Sequence, residues 1–120
     1  MTSYNQYKVC IEACLSCAAI CNNCSAMCAK NEKPDSMAIS LQLTMEAATI
    51  CYAAAQLMSL GSDKVKEICK LCAVMCDLCA AECNKYIHEH PHCQACAEAC
   101  TKCADECEIV SSEPVTSAQF

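Results

Sequence analysis

At 120 residues the chain has the length of one domain, enough to bury a core without staples. A net charge of −6 excludes a nucleic-acid-binding face, which needs clustered Lys and Arg. With one Gly, three Pro, one Phe and no Trp, and no run of alternating β-branched residues, a β fold is excluded and long helices joined by short turns are expected. No apolar run reaches the length expected of a membrane span.

The first predicted helix covers about 4–30 and carries Cys10, Cys14, Cys17, Cys21, Cys24 and Cys28, at alternating steps of 4 and 3. That alternation is the seam a helix turns toward its partners in a bundle, a place normally held by leucine. The N-terminus before it has neither a basic nor an apolar leader region, so a cytoplasmic protein is expected. Thiols are kept reduced there, and a cysteine array then reads as metal-binding or catalytic before it reads as disulfides.

A polar turn ending in Pro34-Asp35 precedes a second predicted helix over 35–60. Its single cysteine, Cys51, shares a heptad stripe with Met37, Thr44 and Met58, flanked by Leu41, Ala48 and Ala55. Nearly opposite run Ile39, Leu43, Ile50, Ala53 and Leu57. A helix apolar on two faces usually buries both, so a homo-oligomer interface through the first two helices is expected. Gly61, the only glycine, fits the left-handed position after this helix.

The third predicted helix, 63–88, repeats the seam with Cys69, Cys72, Cys76, Cys79 and Cys83. Pro91 suits the first turn of a fourth helix over 91–109, with Cys93, Cys96, Cys100, Cys103 and Cys107. The expected fold is all-α: an antiparallel up-down-up-down four-helix bundle over 1–110 with a cysteine-lined core, followed by a flexible tail over 111–120.

Several chemistries compete for such a core. A disulfide framework is disfavoured by the odd count of 17 Cys and by neighbours sitting on one helix, where bridging strains the geometry. Cysteine as a plain small hydrophobe explains one or two seam positions, not an entire seam. Iron–sulfur clusters usually take four or eight ligands from loops. A thiol redox protein using a pair such as Cys93-Gln-Ala-Cys96 lacks its βαβ context. Zn(II) or Cd(II) sequestration remains an alternative, but each four-thiolate zinc site leaves two negative charges in an already acidic chain. Cu(I) replacing a thiol proton changes no charge and accepts two or three soft sulfurs. Multiple Cu(I) ions, roughly one per cysteine, are therefore the expected cargo.

The turns joining the first to the second helix and the third to the fourth lie at one end of the bundle. That end gathers Cys28, Met37, Cys83, Cys93 and the run His88-Glu-His90-Pro-His92. His90 and His92, which abut Pro91 and Cys93, are candidate ligands where metal enters, with Met37 as a soft thioether relay. Met58, Tyr4 and Tyr7 lie at the other end, and the two tyrosines are expected to help close it.

The stretch His90-Pro-His92-Cys93-Gln-Ala-Cys96-Ala-Glu-Ala-Cys100-Thr-Lys-Cys103-Ala-Asp-Glu-Cys107 resembles the bacterial copper storage proteins, as does Cys69 to Cys83. The resemblance covers Val9 to Cys107. It implies a four-helix bundle whose inward thiols hold many Cu(I) ions, usually a tetramer, loaded from an end rich in His or Met. The chain looks like the cytosolic, leaderless members: a storage protein, not an enzyme.

Overall fold

The computed structural model describes residues 2–31 and 34–113. Most of the expected tail, 114–120, and two residues of the first turn, 32–33, lie outside the described residues. A short helix α1 (Ser3–Gln6) leads into α2 (Lys8–Ala29); a 3₁₀ turn (Pro34–Met37) opens α3 (Ala38–Leu60); α4 (Val65–Asn84) and α5 (Pro91–Ser112) follow. Each of the four long helices packs on its chain neighbours, and α2 closes the ring against α5. This is a four-helix bundle with an antiparallel course, and every described cysteine side chain is buried in its interior.

Local chemistry explains where the elements differ from expectation. The first helix is broken at Tyr7, whose φ of −108° and ψ of 14° leave the helical region. Expected to reach residue 88, α4 instead ends at Asn84. Pro91 excludes helical backbone at the residue before it, and His90 is extended at φ −134°, ψ 107°. The chain therefore turns beforehand, with the Glu89 and His90 amides both donating to the Tyr86 carbonyl at 3.1 and 2.9 Å. Helix α5 outruns its expected end at 109, because Val110 occupies the next seam position and is buried.

Gly61 ends α3 in the left-handed region at φ 70°, donating back to the Leu57 and Met58 carbonyls. A Cβ there would also strike Ser3 of α1, so glycine serves both the turn and the packing of α1 across the bundle end. Tyr7 packs partly buried against the core as expected, whereas Tyr4 remains 44% exposed and closes nothing.

One expectation about hydropathy needs correcting. Helix α2 is long and apolar enough, with a mean hydropathy of 1.4, to cross a membrane by composition alone. Cysteine supplies much of that hydropathy, and all six of its thiols face the bundle interior. The outer faces of α4 and α5 expose Leu71, Val74, Leu78 and Ile109.

Candidate metal centre

Because the seam steps alternate 3 and 4, each of α2, α4 and α5 delivers one sulfur per half-heptad to the axis, and the sulfurs stack in layers. Cys10, Cys69 and Cys107 converge at the end closed by α1. Next come Cys14, Cys72, Cys103 and Cys107, then Cys17, Cys51, Cys76 and Cys103, then Cys21, Cys79, Cys96 and Cys100. Cys24, Cys28 and His92 form the group at the histidine end. Within each group the ligand atoms lie within 4.8 Å of one another.

Individual contacts tie these layers into one file. Cys107 Sγ stands 3.7 Å from both Cys10 and Cys14, and Cys103 3.6 Å from Cys14. Cys51 Sγ lies 3.8, 3.6 and 3.7 Å from Cys72, Cys76 and Cys103. Cys21 is 3.5 Å from Cys100 and 3.7 Å from Cys96, and Cys17 is 3.7 Å from Cys100. The lone cysteine of α3 thus completes a layer to which all four helices contribute. It stands at the mid-point of the file, between the layers of Cys14 and Cys21.

Sulfur spacing alone does not choose the metal. Four sulfurs about 2.3 Å from a zinc ion would stand about 3.8 Å apart, much as these do. Cys103 and Cys107 each belong to two groups. Shared thiolates can bridge zinc or cadmium ions as well as Cu(I), so the preference for Cu(I) rests on charge: a singly charged ion replacing a thiol proton leaves the buried charge unchanged, and the shared file suits its low coordination number.

Hydrogen bonds among the thiols shift their pKa values in opposing directions, while burial raises each of them. Cys79 and Cys96 are lowered, first by Cys100, Cys103 first by Cys107, and Cys72 first by Cys103. Cys100 and Cys107 are raised, chiefly through Cys17 and Cys10. Cys51 rises through Cys103 first. A thiolate that accepts S–H bonds is stabilised in its charged form, and its donor pays by holding on to a proton.

At the histidine end the structure separates the candidates. His92 Nδ1 lies 3.2 Å from Cys24 Sγ and 3.7 Å from Cys93 Sγ. His90 stands outside it, ring to ring at 5.3 Å, and His88 is exposed. Burial, then the charge of His90, lowers the His92 pKa from its usual 6.5, leaving a neutral imidazole able to ligate at neutral pH. Cys93 is pushed up to about 12 by burial first and by nearby Cys83 and Cys28 next. Met37 is buried at this end, 1% exposed, at the foot of the 3₁₀ turn.

Two hydroxyl residues line the core beside this end. Thr44, read from sequence on the Cys51 stripe, has its Oγ1 2.6 Å from Ser25 Oγ and donates to the Ser40 carbonyl at 2.8 Å. Ser40 went unread: it is wholly buried, and its Oγ has no hydrogen-bond partner among the described residues. It lies one turn before Thr44 on the same helix face, which was the available signal.

A profile of the copper storage protein family matches residues 3–112, the whole of this bundle. The chain belongs to the copper storage protein family. A Cu(I)-bound copper storage protein from Bacillus subtilis superposes with a TM-score of 0.82 at 41% identity, covering 88% of this chain and 97% of that one. A cytosolic copper storage protein from Streptomyces lividans, captured with five coppers, gives a TM-score of 0.88 at 29% identity, covering 94% and 98%. An uncharacterised cysteine-rich protein of Bacillus subtilis is 40% identical over 86 residues, 72% of this chain and 78% of that one. The family resemblance read from Cys69–Cys83 and His90–Cys107 is borne out, and with it the thiol-lined bundle.

Proposed function

We propose that this chain stores Cu(I) at high capacity along its axial file of thiols, binding the metal rather than catalysing a reaction. The carrying observation is the continuity of the file, in which Cys103 and Cys107 are each shared between neighbouring groups. Shared sulfurs let ions be added one after another with no need for a closed site per ion. Each Cu(I) that displaces a thiol proton leaves the buried charge unchanged, so filling the file does not accumulate the anionic excess that zinc would. All 17 cysteines are assigned as ligands, with His92 as the first nitrogen ligand, His90 behind it and Met37 as a thioether at the same end.

The same proposal places the protein in a reducing cytoplasm, where the thiols stay free; the Streptomyces relative is described as cytosolic. It also includes self-association through the outer faces of α2 and α3, which expose Val9, Leu15, Ile39, Met45 and Tyr52. Sedimentation of the apo-protein reads that association directly, and a monomer would remove it from the proposal.

Titrating the reduced apo-protein with Cu(I) against a chromophoric chelator is expected to give on the order of one ion per thiol. Saturation near four ions per chain would overturn the storage reading in favour of separate tetrahedral sites. Far-ultraviolet circular dichroism of the apo-protein is expected to be fully helical, since neutral thiols pack as small hydrophobes.

A further inference from the structure

The four long helices turn their cysteines inward, yet α4 keeps a second apolar stripe on its outside. Leu71, Val74 and Leu78, at steps of 3 and 4, are 51%, 51% and 56% exposed. Those steps return to one face of a helix, the spacing of a seam that pairs with another helix. Within the chain α4 packs on α3 and α5, and these three side chains are left outside both contacts. The stripe continues beyond α4. Leu71 and Met75 form one wall of an open groove of about 610 Å³ between α4 and α3, and Ile50 and Ala53 belong to the other wall. A continuous apolar surface of this kind marks an interaction site.

Charge says which partner fits. Lys70 and Asp77 are both exposed along one flank of the stripe, a heptad apart and of opposite sign. The ion pairs among the described residues are Lys64–Glu67 and Lys85–Glu82, so neither Lys70 nor Asp77 is paired within them. Two antiparallel copies of α4 related by a two-fold axis near Val74 lay the same flank of each helix side by side. Lys70 lies four residues before that axis and Asp77 three after it, so Lys70 of one copy meets Asp77 of the other, twice over. Leu71 and Leu78 straddle the axis in the same way and pack across it. Each charge finds its complement on an identical face, which is what an isologous dimer requires. A lipid surface fits less well, because the flanking charges are of both signs and the net charge of −6 opposes anionic headgroups.

We propose that the outer face of α4 is a homodimer interface, with Leu71, Val74 and Leu78 packed across an antiparallel two-fold and reciprocal Lys70–Asp77 pairs along its edge. This face is separate from the α2–α3 surface and from the thiols, and the pairing stands without either.

The test is sedimentation velocity of the reduced full chain over a range of concentrations. Leu78→Lys is expected to halve the mass of the associated species. Lys70→Asp and Asp77→Lys each bring like charges together at two places, and each should weaken association about tenfold. The double variant Lys70→Asp/Asp77→Lys rebuilds both pairs with their signs exchanged and should restore the wild-type dissociation constant. Leu15→Lys, at an exposed position of α2, reads the other surface, and its having no effect removes the α2–α3 association alone. A monomeric wild type overturns the α4 pairing, as does association untouched by Leu78→Lys or a double variant no tighter than the single ones. A monomer that binds phosphatidylcholine vesicles, and loses that binding in Leu78→Lys, overturns it in favour of a lipid surface.

Discussion

The two ends of the bundle close the same thiol file by opposite chemistry. One step beyond the last cysteine of each ladder, the α1 end has Tyr7, Val65 and Val110, with Met58 from α3. Val65, Val110, Met58 and Ile11 are all buried there, where α1 packs on α2 and α3. At the other end the corresponding steps reach Asn31, Tyr86 and Glu89, beside His90 and His92, with Met37 from α3. One end is an aliphatic plug in which the Met58 thioether is the soft donor beyond the cysteines. The other is polar and holds His92 against Cys24. The lesson is that a cysteine ladder gains direction from the residues that terminate it.

Four measurements would break or sharpen that contrast. The largest effect is expected from pH. Cys93, raised to about 12, is protonated at neutral pH, so a Cu(I) ion binding it must displace the proton. Affinity at the histidine end should then fall about tenfold per pH unit for each proton displaced as pH drops from 9 to 6, measured by chelator competition. His92 should remain a ligand through most of that range, since its pKa is lowered and the ring is protonated only below its usual 6.5. In the apo-protein the sign reverses. A raised thiol pKa stabilises the fold below the usual 9.0 and loses that contribution as pH climbs toward 12, so alkaline unfolding should begin there.

At the plugged end, Met58→Ala should cost about 2–5 kcal/mol of apo stability by leaving a cavity, with little change in the rate of copper uptake. A marked acceleration would show that metal also enters through the plug. His92→Ala should slow uptake about tenfold, the scale on which an orienting metal partner matters, and remove at most about one ion from the capacity. Unaltered uptake would erase the functional difference between the ends. The smallest effect is expected at Ser40→Ala. Removing a buried hydroxyl that has no partner should stabilise the apo-bundle by about 1 kcal/mol, read by denaturant unfolding. Destabilisation would mean that the hydroxyl is satisfied and belongs to the polar lining of the mouth.

Much of the site was legible because its signal is periodic. Cys10 to Cys28, Cys69 to Cys83 and Cys93 to Cys107 step at 3 and 4, and only a helix seam makes that spacing converge. Element ends were less legible: the halt of α4 at Asn84 depends on the turn that Pro91 forces upstream, and the extension of α5 depends on room for Val110. Cys51 was undervalued because a single cysteine has no periodicity of its own. Its weight came from three neighbours on α4 and α5 that are distant in sequence.

By itself, the sequence determined that this chain is a helical bundle with thiols along its axis, because seam spacing and helix geometry are properties of one helix at a time. It also determined that soft, singly charged metal suits those thiols, because charge balance follows from composition. The tertiary structure alone decided which sulfurs share a layer and that His92 rather than His90 meets Cys24. Those are relations between helices, and they are set by the rotation and rise at which four of them pack around one core.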